Sequence, residues 1–242
     1  MENPILLDFP YSFETERLII RGPLPDDAAP LRQAVVESQP ELKPWMPWAV
    51  DVPTEEWYRV RVREGRLKFL AREDLWMMLT LKEDGLIIGG SGLHRIDWAV
   101  PKFEIGYWAR TSHAGRGYIT EAVNGITRFA FETLGARRVE IRCDVKNVRS
   151  AAVARRAGFE LEGTFRLDAR DHITGGLRDT YIFAQGRAGL GIRQGPGKSL
   201  SLTPNPWPLT LQRTWPQSHP SAYHRCSCAS ASASASSRRL RC

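Results

Sequence analysis

The segment EIGYWARTSHAGRGYITEAV, residues Glu104–Val123, joins three patterns that together decide the fold. It begins within an alternating run, Phe103–Trp108, which predicts a strand with Glu104 on the face opposite the neighbouring apolar side chains. A short loop with two glycines follows, Ala114–Gly117. From Tyr118 onward, apolar residues recur at helical spacing. The segment therefore predicts a strand, a glycine loop and an amphipathic helix, in that order.

The glycine loop has the composition of a site for a diphosphate. Glycine allows successive backbone N–H groups to point into one concavity, and the helix that follows adds unpaired N–H groups and the positive end of its dipole. Gly115 and Gly117 lie directly before the predicted helix. An ordinary turn is the alternative, because two glycines alone are a weak signal. The strand before the loop and the helix after it favour the phosphate site.

Further elements flank this segment on both sides. Before it, the pattern predicts a strand, two helical regions and a two-stranded hairpin that turns at Glu83–Gly85. After it come a half-buried strand around Val139–Cys143, a short helix at Ser150–Ala157 and two last strands. This order predicts one α/β (α+β) domain with helices flanking a central mixed, mostly antiparallel twisted sheet.

The segment QPELKPWMPWAV, residues 39–50, contains three prolines and is predicted not to form a regular helix. Its large apolar side chains, Trp45, Met46 and Trp48, need a surface to pack on. They either cover a pocket or close the edge of the core, and the sequence leaves both alternatives open.

The charge of the chain is divided unevenly. The net charge is +7, but residues 186–242 carry eight Lys or Arg and no acidic residue, so residues 1–185 hold 26 basic and 27 acidic side chains. We therefore predict a domain over 1–185 and a basic, low-complexity, disordered tail over 186–242. The tail has the composition of a frameshift or read-through product, with a Ser/Ala-rich linker as the alternative. Since the basicity belongs to the tail, no specific nucleic-acid partner is expected.

Cellular context follows from what the sequence contains. Cys143 is the single cysteine of the predicted domain, which suits a reducing compartment. The N-terminus does not have the pattern of a signal peptide, and apolar runs fall short of the roughly 20 residues that span a bilayer. We expect a cytoplasmic protein with no membrane partner. His and Cys spacings indicate no metal site.

With these patterns in place, the chain resembles the GNAT superfamily of N-acetyltransferases, and within it the RimJ/RimL branch. The glycine loop resembles the acetyl-CoA pyrophosphate loop, Q/R-x-x-G-x-G/A, although Ser112 replaces the usual Gln or Arg. Four further stretches resemble the branch over Phe13–Gln185: TERLIIR, WMPW, EIGYW and NVRSAAVARRAGFELEG.

The resemblance implies how acetyl-CoA is held. The loop residues contact the pyrophosphate, a backbone N–H near Trp108 and Ala109 receives the acetyl oxygen, and Asn147 holds the pantetheine. The implied loop contacts are Ser112, His113, Ala114, Gly115, Arg116, Gly117 and Tyr118. For Asn147 the alternative is the capping of a helix, for which Asn is a preferred residue.

It also implies two catalytic residues. Glu104 is the candidate base that takes a proton from the amine through water, and an ordinary strand glutamate is the alternative. The tyrosine that protonates the leaving thiolate in many GNAT enzymes falls at Ala154 here. Ser150 is the candidate that takes its place, with helix capping as the alternative.

We therefore expect transfer of acetyl from acetyl-CoA to a primary amine, foremost the α-amino group at a protein N-terminus. Two alternatives stay open: a small-molecule amine such as an antibiotic or polyamine, and a module that binds acyl-CoA without catalysis. The sequence also leaves a homodimer open.

Overall fold

A computed structural model describes residues 3–186 of the chain. Eight strands and four α-helices follow one another in this part, together with short 3₁₀ turns. In chain order they are β1 (Ser12–Glu14), β2 (Leu18–Arg21), α1 (Ala28–Leu42), α2 (Glu55–Ala71), β3 (Leu75–Leu81), β4 (Ile87–Asp97), β5 (Lys102–Ala109), α3 (Tyr118–Glu132), β6 (Arg138–Asp144), α4 (Val148–Arg156), β7 (Glu160–Arg170) and β8 (Leu177–Gly186).

The strands form one eight-stranded sheet in the order β1-β2-β3-β4-β5-β6-β8-β7. Every neighbouring pair is antiparallel except β5 and β6, which are parallel. The mixed, mostly antiparallel sheet predicted from the sequence is therefore confirmed. β1 was not predicted, because three residues are too few to show an alternation.

The side chains of β5 divide between two apolar cores. Phe103 and Ile105 belong to the larger core, in which the buried side of α3 packs with Val123 and Ile126 among others. Trp108 belongs to a smaller core that contains buried residues of α1 and α2. The helices thus cover both faces of the sheet, and β5 contributes to each.

The structure corrects the prediction that residues 39–50 contain no regular helix. Helix α1 runs through Pro40 and ends at Leu42. A proline at this position removes one N–H that would bond the carbonyl of Val36. Val36 is 44% exposed, so water can reach that side of the helix. The buried side chain of Leu42 meanwhile holds the last turn on the core.

Helix α3 places the glycine loop at the sheet. Gly117 directly precedes it with a φ of 83°, and Gly135 follows its C-terminal end with a φ of 69°, the left-handed conformation common after helices. Within residues 3–186, no helix is long and apolar enough to cross a membrane. The predicted disordered tail lies outside the described residues.

Candidate functional site

A gap between β5 and β6 forms the centre of the candidate site. The two strands pair only where Lys102–Glu104 faces Arg138–Glu140. On its other side β5 stays paired with β4 as far as Ala109. The second half of β5 therefore has free backbone groups on the side toward β6.

Strand alternation identifies which backbone groups these are. The N–H of Arg110 donates to Ile88 of β4 over 2.7 Å, so β5 residues of the same parity, including Trp108, point their backbone toward β4. The backbone N–H groups of Tyr107 and Ala109 then point into the gap. Of the two neighbours singled out from the sequence, Ala109 presents its N–H there, while the Trp108 ring packs in the smaller core.

The glycine loop lies at the end of β5 and forms an open cradle. A 3₁₀ turn at Thr111–His113 leads into it, and Gly115 and Gly117 have φ angles of 77° and 83°. In the described part of the chain, a Cβ added to Gly115 meets no atom within 4 Å, and one added to Gly117 meets only the Arg17 guanidinium at 3.5 Å. The exposed backbone beside the start of α3 fits a diphosphate.

Helix α1 holds the first half of this loop. Glu37 accepts hydrogen bonds from Arg110 Nε at 2.6 Å and from the Ser112 N–H at 2.9 Å. Ser38 Oγ accepts from the Thr111 N–H at 2.9 Å. Hydrogen bonds from Ser112, together with the Arg110 guanidinium, lower the pKa of Glu37 to about 2. These contacts fix the loop although Ser112 lacks the long polar side chain usual at its position.

Arg17 holds the second half. Its Nη1 donates to the Arg116 carbonyl at 3.1 Å, and its guanidinium lies 4.3 Å from the centre of the Tyr118 ring. Its Nε pairs with Glu121 at 2.7 Å, and Thr15 donates to the same carboxylate at 2.6 Å. Burial alone would raise the pKa of Glu121, but the hydrogen bonds from Thr15 and Arg17 lower it.

The other loop residues predicted from the sequence lie on the surface of this cradle. Ala114, Gly115, Arg116 and Gly117 are exposed. The His113 Nδ1 lies 3.0 Å from Ser112 Oγ, and its ring centre lies 6.4 Å from that of Tyr118. His113 thus belongs to the loop and not to the gap.

Asn147 and Ser150 differ in what they do at the start of α4. Asn147 Oδ1 accepts from the Ser150 N–H at 3.0 Å, so Asn147 caps the helix. Ser150 Oγ instead donates to the Tyr107 hydroxyl at 3.1 Å, and that hydroxyl donates to the Ser150 carbonyl at 2.9 Å. The Ser150 side chain therefore takes no part in the cap and contacts Tyr107, whereas one Asn147 oxygen is committed to the cap.

The hydroxyl and thiol groups near Ser150 are buried. Burial raises the pKa of the Tyr107 hydroxyl above its usual range. Burial also raises the pKa of the Cys143 thiol, with hydrogen bonding from Ser150 opposing the rise. Ala154, where many GNAT enzymes carry a tyrosine, is fully buried. Hydroxyl and thiol groups that stay protonated at neutral pH thus surround Ser150.

Glu104 lies on the opposite face of the sheet. It is the last β5 residue paired with β6, and on its other side it is paired with His94 of β4. Its side chain is 18% exposed. Arg95 Nη1 lies 3.3 Å from its carboxylate. Burial raises the pKa of Glu104, and the charges of Arg95 and Arg142 only partly oppose that rise. A carboxyl group in this state accepts a proton more readily than an exposed one.

Residues 45–48, which contain Trp45, Met46 and Trp48, border the same face. The Trp48 ring packs edge-on against Trp108 at 6.0 Å and stays 42% exposed, while Met46 packs against the smaller core. At the turn between β7 and β8, His172 Nε2 lies 2.8 Å from the Lys43 carbonyl. The segment therefore both closes the core and leaves one ring at the surface.

Sequence reasoning missed Arg17, Glu37 and Tyr107. TERLIIR and EIGYW were singled out as stretches, but they gave no role to Arg17 or Tyr107. For Glu37 there was no signal beyond a polar residue on a predicted helix. No group of three or more potential metal ligands occurs among residues 3–186.

Comparison with known proteins identifies the family to which this arrangement belongs. A sequence model of the acetyltransferase (GNAT) domain matches residues 17–160, which is more than half of the chain. The chain belongs to the GNAT acetyltransferase family. It is therefore an acetyl-CoA-dependent N-acetyltransferase, and the resemblance noted in the sequence is confirmed.

The names of several proteins similar to this GNAT enzyme refer to ribosomal substrates. YdaF of Bacillus subtilis (strain 168), provisionally named a ribosomal N-acetyltransferase, is 33% identical over 152 residues, covering 62% of this chain and 82% of YdaF. The ribosomal-protein-serine acetyltransferase of Escherichia coli (strain K12) is 32% identical over 152 residues, which cover 63% of this chain and 84% of that protein. The solved structure of RimL, a ribosomal L7/L12 α-N-protein acetyltransferase in complex with coenzyme A, has the same fold, with a TM-score of 0.67 and 23% sequence identity. The match covers 72% of this chain and 97% of the RimL chain.

Proposed function

We propose that this GNAT enzyme transfers acetyl from acetyl-CoA to the α-amino group of a protein N-terminus. The observation that carries the proposal is the position of the gap between β5 and β6. It opens beside a diphosphate cradle, with Ser150 on one face of the sheet and Glu104 on the other. A thioester that enters from the α3 and α4 side can meet an amine that arrives from the α1 and α2 side.

The loop and the gap hold the donor. The N–H groups of Ser112, His113 and Ala114 bond within the protein, so the backbone N–H groups of residues 115–118 bind the diphosphate. Arg17 and Glu37 fix the position of the loop. The backbone N–H of Ala109 binds the acetyl oxygen, on which negative charge develops during transfer. The amide nitrogen of Asn147 is free for the pantetheine, because only its oxygen caps α4. Acetyl-CoA itself supplies an activated acetyl group.

Glu104 accepts the proton of the incoming amine, directly or through water. An α-amino group has a pKa of roughly 7.7–8.0 and a lysine side chain roughly 10.4, so neutralising lysine at pH 7 costs about 3 kcal/mol more. A single half-buried carboxylate is a modest general base. It is sufficient for an α-amine, because that amine loses its proton more easily than lysine does. The names of the two sequence relatives support the same acceptor class.

Ser150 donates a hydrogen bond to the departing thiolate. Its single hydroxyl proton is bonded to the Tyr107 hydroxyl in the structure and turns from that oxygen to the sulfur when the thiolate forms. Because a thiol has a pKa of roughly 8.5, its thiolate is a good leaving group, and one hydrogen bond from a hydroxyl is sufficient to stabilise it.

The experiment is an acetylation assay of the full chain with acetyl-CoA and a peptide panel. The panel contains peptides with a free N-terminus and the same peptides with a blocked N-terminus and an internal lysine. Small-molecule amines form a third set of acceptors. We expect thiol release, and a mass gain of one acetyl group, only with free N-termini, because an α-amine is easier to deprotonate than lysine. Acetylation of small amines alone would overturn the acceptor class, and absence of thiol release with every acceptor would overturn catalysis.

We also infer that the catalytic domain ends at Gln185 and that the basic tail is dispensable. A chain that stops after Gly186 retains every described strand and helix. We expect the truncated chain to keep its melting temperature and its acetyl-CoA affinity, measured by calorimetry. Failure of the truncated chain to fold would place the boundary further along the chain.

A further inference from the structure

A second pair of ionisable side chains lies beside Glu104, on the same face of the sheet. His94 Nδ1 lies 2.8 Å from the carboxylate of Asp74. The two side chains are 29% and 34% exposed, so water reaches both. His94 is also the β4 residue paired with Glu104 of β5, and directly paired residues point to the same face of a sheet. The Asp74–His94 pair is therefore a neighbour of the proposed base.

Two glycines leave room for the His94 imidazole on the sheet. Gly92 and Gly106 are paired across β4 and β5. A Cβ added to Gly92 would lie 3.1 Å from His94 Cε1, and one added to Gly106 would lie 3.6 Å from His94 Nε2. The ring therefore extends toward β5, with Nδ1 on the side of Asp74 and Nε2 next to Gly106.

The position of Nε2 relates the pair to the gap between β5 and β6. Gly106 lies two residues beyond Glu104, which is the last β5 residue paired with β6. Gly106 thus belongs to the half of β5 that borders the gap. His94 Nε2 lies over this half of the strand, on the face from which the amine arrives.

Asp74 determines which nitrogen of His94 accepts a proton. The connection that carries Asp74 follows α2 at Arg72, whose carbonyl accepts a hydrogen bond from Trp98 Nε1 at 2.9 Å. An ionised carboxylate accepts hydrogen bonds and does not donate them. A neutral His94 therefore carries its proton on Nδ1, toward Asp74, and leaves the lone pair of Nε2 free.

The chemistry of acetyl transfer requires more than one proton acceptor on this face. An α-amine has a pKa of roughly 7.7–8.0, so at pH 7 it is mostly an ammonium group and must lose one proton before it attacks. The attack forms the C–N bond and leaves a positive charge on nitrogen. A second proton leaves the nitrogen as the C–S bond breaks and the amide forms. Of these two protons, the coenzyme A thiolate takes up the equivalent of one, and one is released to solvent.

We propose that His94, oriented by Asp74, is the second proton acceptor in this reaction. The inference rests on the proposed function, in which Glu104 takes the first proton from the arriving amine. After the attack the nitrogen is bonded to the acetyl carbon in the gap, beyond Glu104. His94 Nε2 takes the second proton there, directly or through one water. The N–H bond of the adduct breaks, an Nε2–H bond forms, and the imidazolium returns the proton to solvent.

The surrounding charges support this role. Charged side chains from three elements lie around His94 and Glu104 on this face: Asp74 before β3, Arg95 on β4, and Glu140 and Arg142 on β6. Asp74 and Glu104 favour a positive charge on the imidazole, and Arg95 opposes it. Histidine is the side chain whose charge ordinarily changes between roughly pH 5 and 8, so it can both take up and release a proton near neutral pH.

The first test is His94→Ala, with kcat measured at saturating acetyl-CoA and N-terminal peptide. We expect kcat to fall by on the order of 10²-fold, because one proton acceptor is lost. Acetyl-CoA affinity, measured by calorimetry, is expected to stay unchanged. Since Gly92 and Gly106 have no side chains, the variant leaves a space that free imidazole can enter. Added imidazole is expected to restore part of the rate, in proportion to the concentration of its neutral form.

The second test is Asp74→Asn, which keeps the ring and changes its tautomer. An amide N–H that faces Nδ1 places the imidazole proton on Nε2, which then no longer accepts a proton. We expect kcat to fall by about 10-fold or more. The melting temperature is expected to stay close to that of wild type, because the pair is partly exposed. Asp26→Asn, at an exposed aspartate before α1, is the matched control and is expected to keep the wild-type kcat.

The outcomes that contradict the two proposals are distinct. Wild-type kcat in both variants, or a loss in His94→Ala that imidazole does not restore, overturns the role of His94 and leaves the proposed function intact. Failure of wild type to acetylate any peptide with a free N-terminus overturns the proposed function itself.

Discussion

The two faces of the sheet at the gap between β5 and β6 differ in chemistry. On the α3 and α4 face, Ser150, Tyr107 and Cys143 form a neutral group of hydroxyl and thiol side chains. On the other face, Glu104 is surrounded by the charged or ionisable groups of His94 and Arg95. A neutral face suits a thioester and its thiol, whereas a charged face suits an ammonium group that must lose a proton. In the function we propose, this division places the two halves of one reaction on opposite sides of a single layer of backbone.

The largest effect is expected from Glu104→Gln, which removes the base from the charged face. We expect kcat/KM to fall by about 10²- to 10⁴-fold at pH values below the pKa of the acceptor amine, and by less as the pH approaches that pKa. A pH–rate profile measures this. Glu83→Gln, at the exposed turn between β3 and β4, is the control for the loss of one carboxylate. An equal loss at every pH would show that Glu104 acts through structure alone.

Ser150→Ala tests the neutral face. We expect kcat and kcat/KM to fall together, by on the order of 10²-fold, with little change in acetyl-CoA affinity. Because Asn147 caps α4, the melting temperature is expected to stay close to that of wild type. Asn147→Ala is the contrasting variant and is expected to cost about 1 kcal/mol of stability. Wild-type turnover in Ser150→Ala would leave protonation of the thiolate to solvent.

Gly117→Val tests the cradle that both faces share. A β-branched residue resists the φ of 83° and enters the space of the diphosphate, so we expect at least a 10-fold loss of acetyl-CoA affinity by calorimetry. Gly135→Val, at the far end of α3 with a φ of 69°, carries the same backbone strain without a ligand nearby. Equal affinities in the two variants would mean that this loop does not bind the donor.

The smallest effect is expected from Glu37→Gln, which loosens the loop from α1. The folded-state pKa of about 2 lies below the unfolded value, so Glu37 stabilises the protein above about pH 4.5. That stabilisation is lost as the pH falls toward 2. The side chain is 32% exposed, so solvent screening keeps the effect small. Melting temperatures from pH 2.5 to 7 are expected to vary less in this variant than in Glu64→Gln, the control on α2.

Sequence reasoning located the residues whose roles depend on local patterns. The order of strand, loop and helix predicted the positions of Gly115 and Gly117, and strand alternation predicted the face on which Glu104 lies. The role of Glu104 came from the family resemblance and stays a prediction. Arg17 and Glu37 were not, because their partners Arg116 and Ser112 lie 99 and 75 residues away in the chain. Only the folded sheet brings such residues together.

Predictions from short stretches of sequence were wrong for the end of α1 and missed strand β1. The prolines after residue 38 predicted an irregular segment, yet burial of Leu42 against the core keeps α1 helical past Pro40. Strand β1 carried no pattern of its own and exists through its pairing with β2. In both places tertiary contacts outweighed the propensity of a few residues.

The short pairing of β5 with β6 has a consequence for folding free energy. Only three residue pairs join β1–β5 directly to β6–β8 at this seam. A ligand that spans the seam binds the folded chain and not the unfolded one, so it adds about 2.7 kcal/mol of stability at a concentration 100 times its Kd. The melting temperature of this protein thus reports donor occupancy, and the enzyme is most resistant to unfolding when its substrate is abundant.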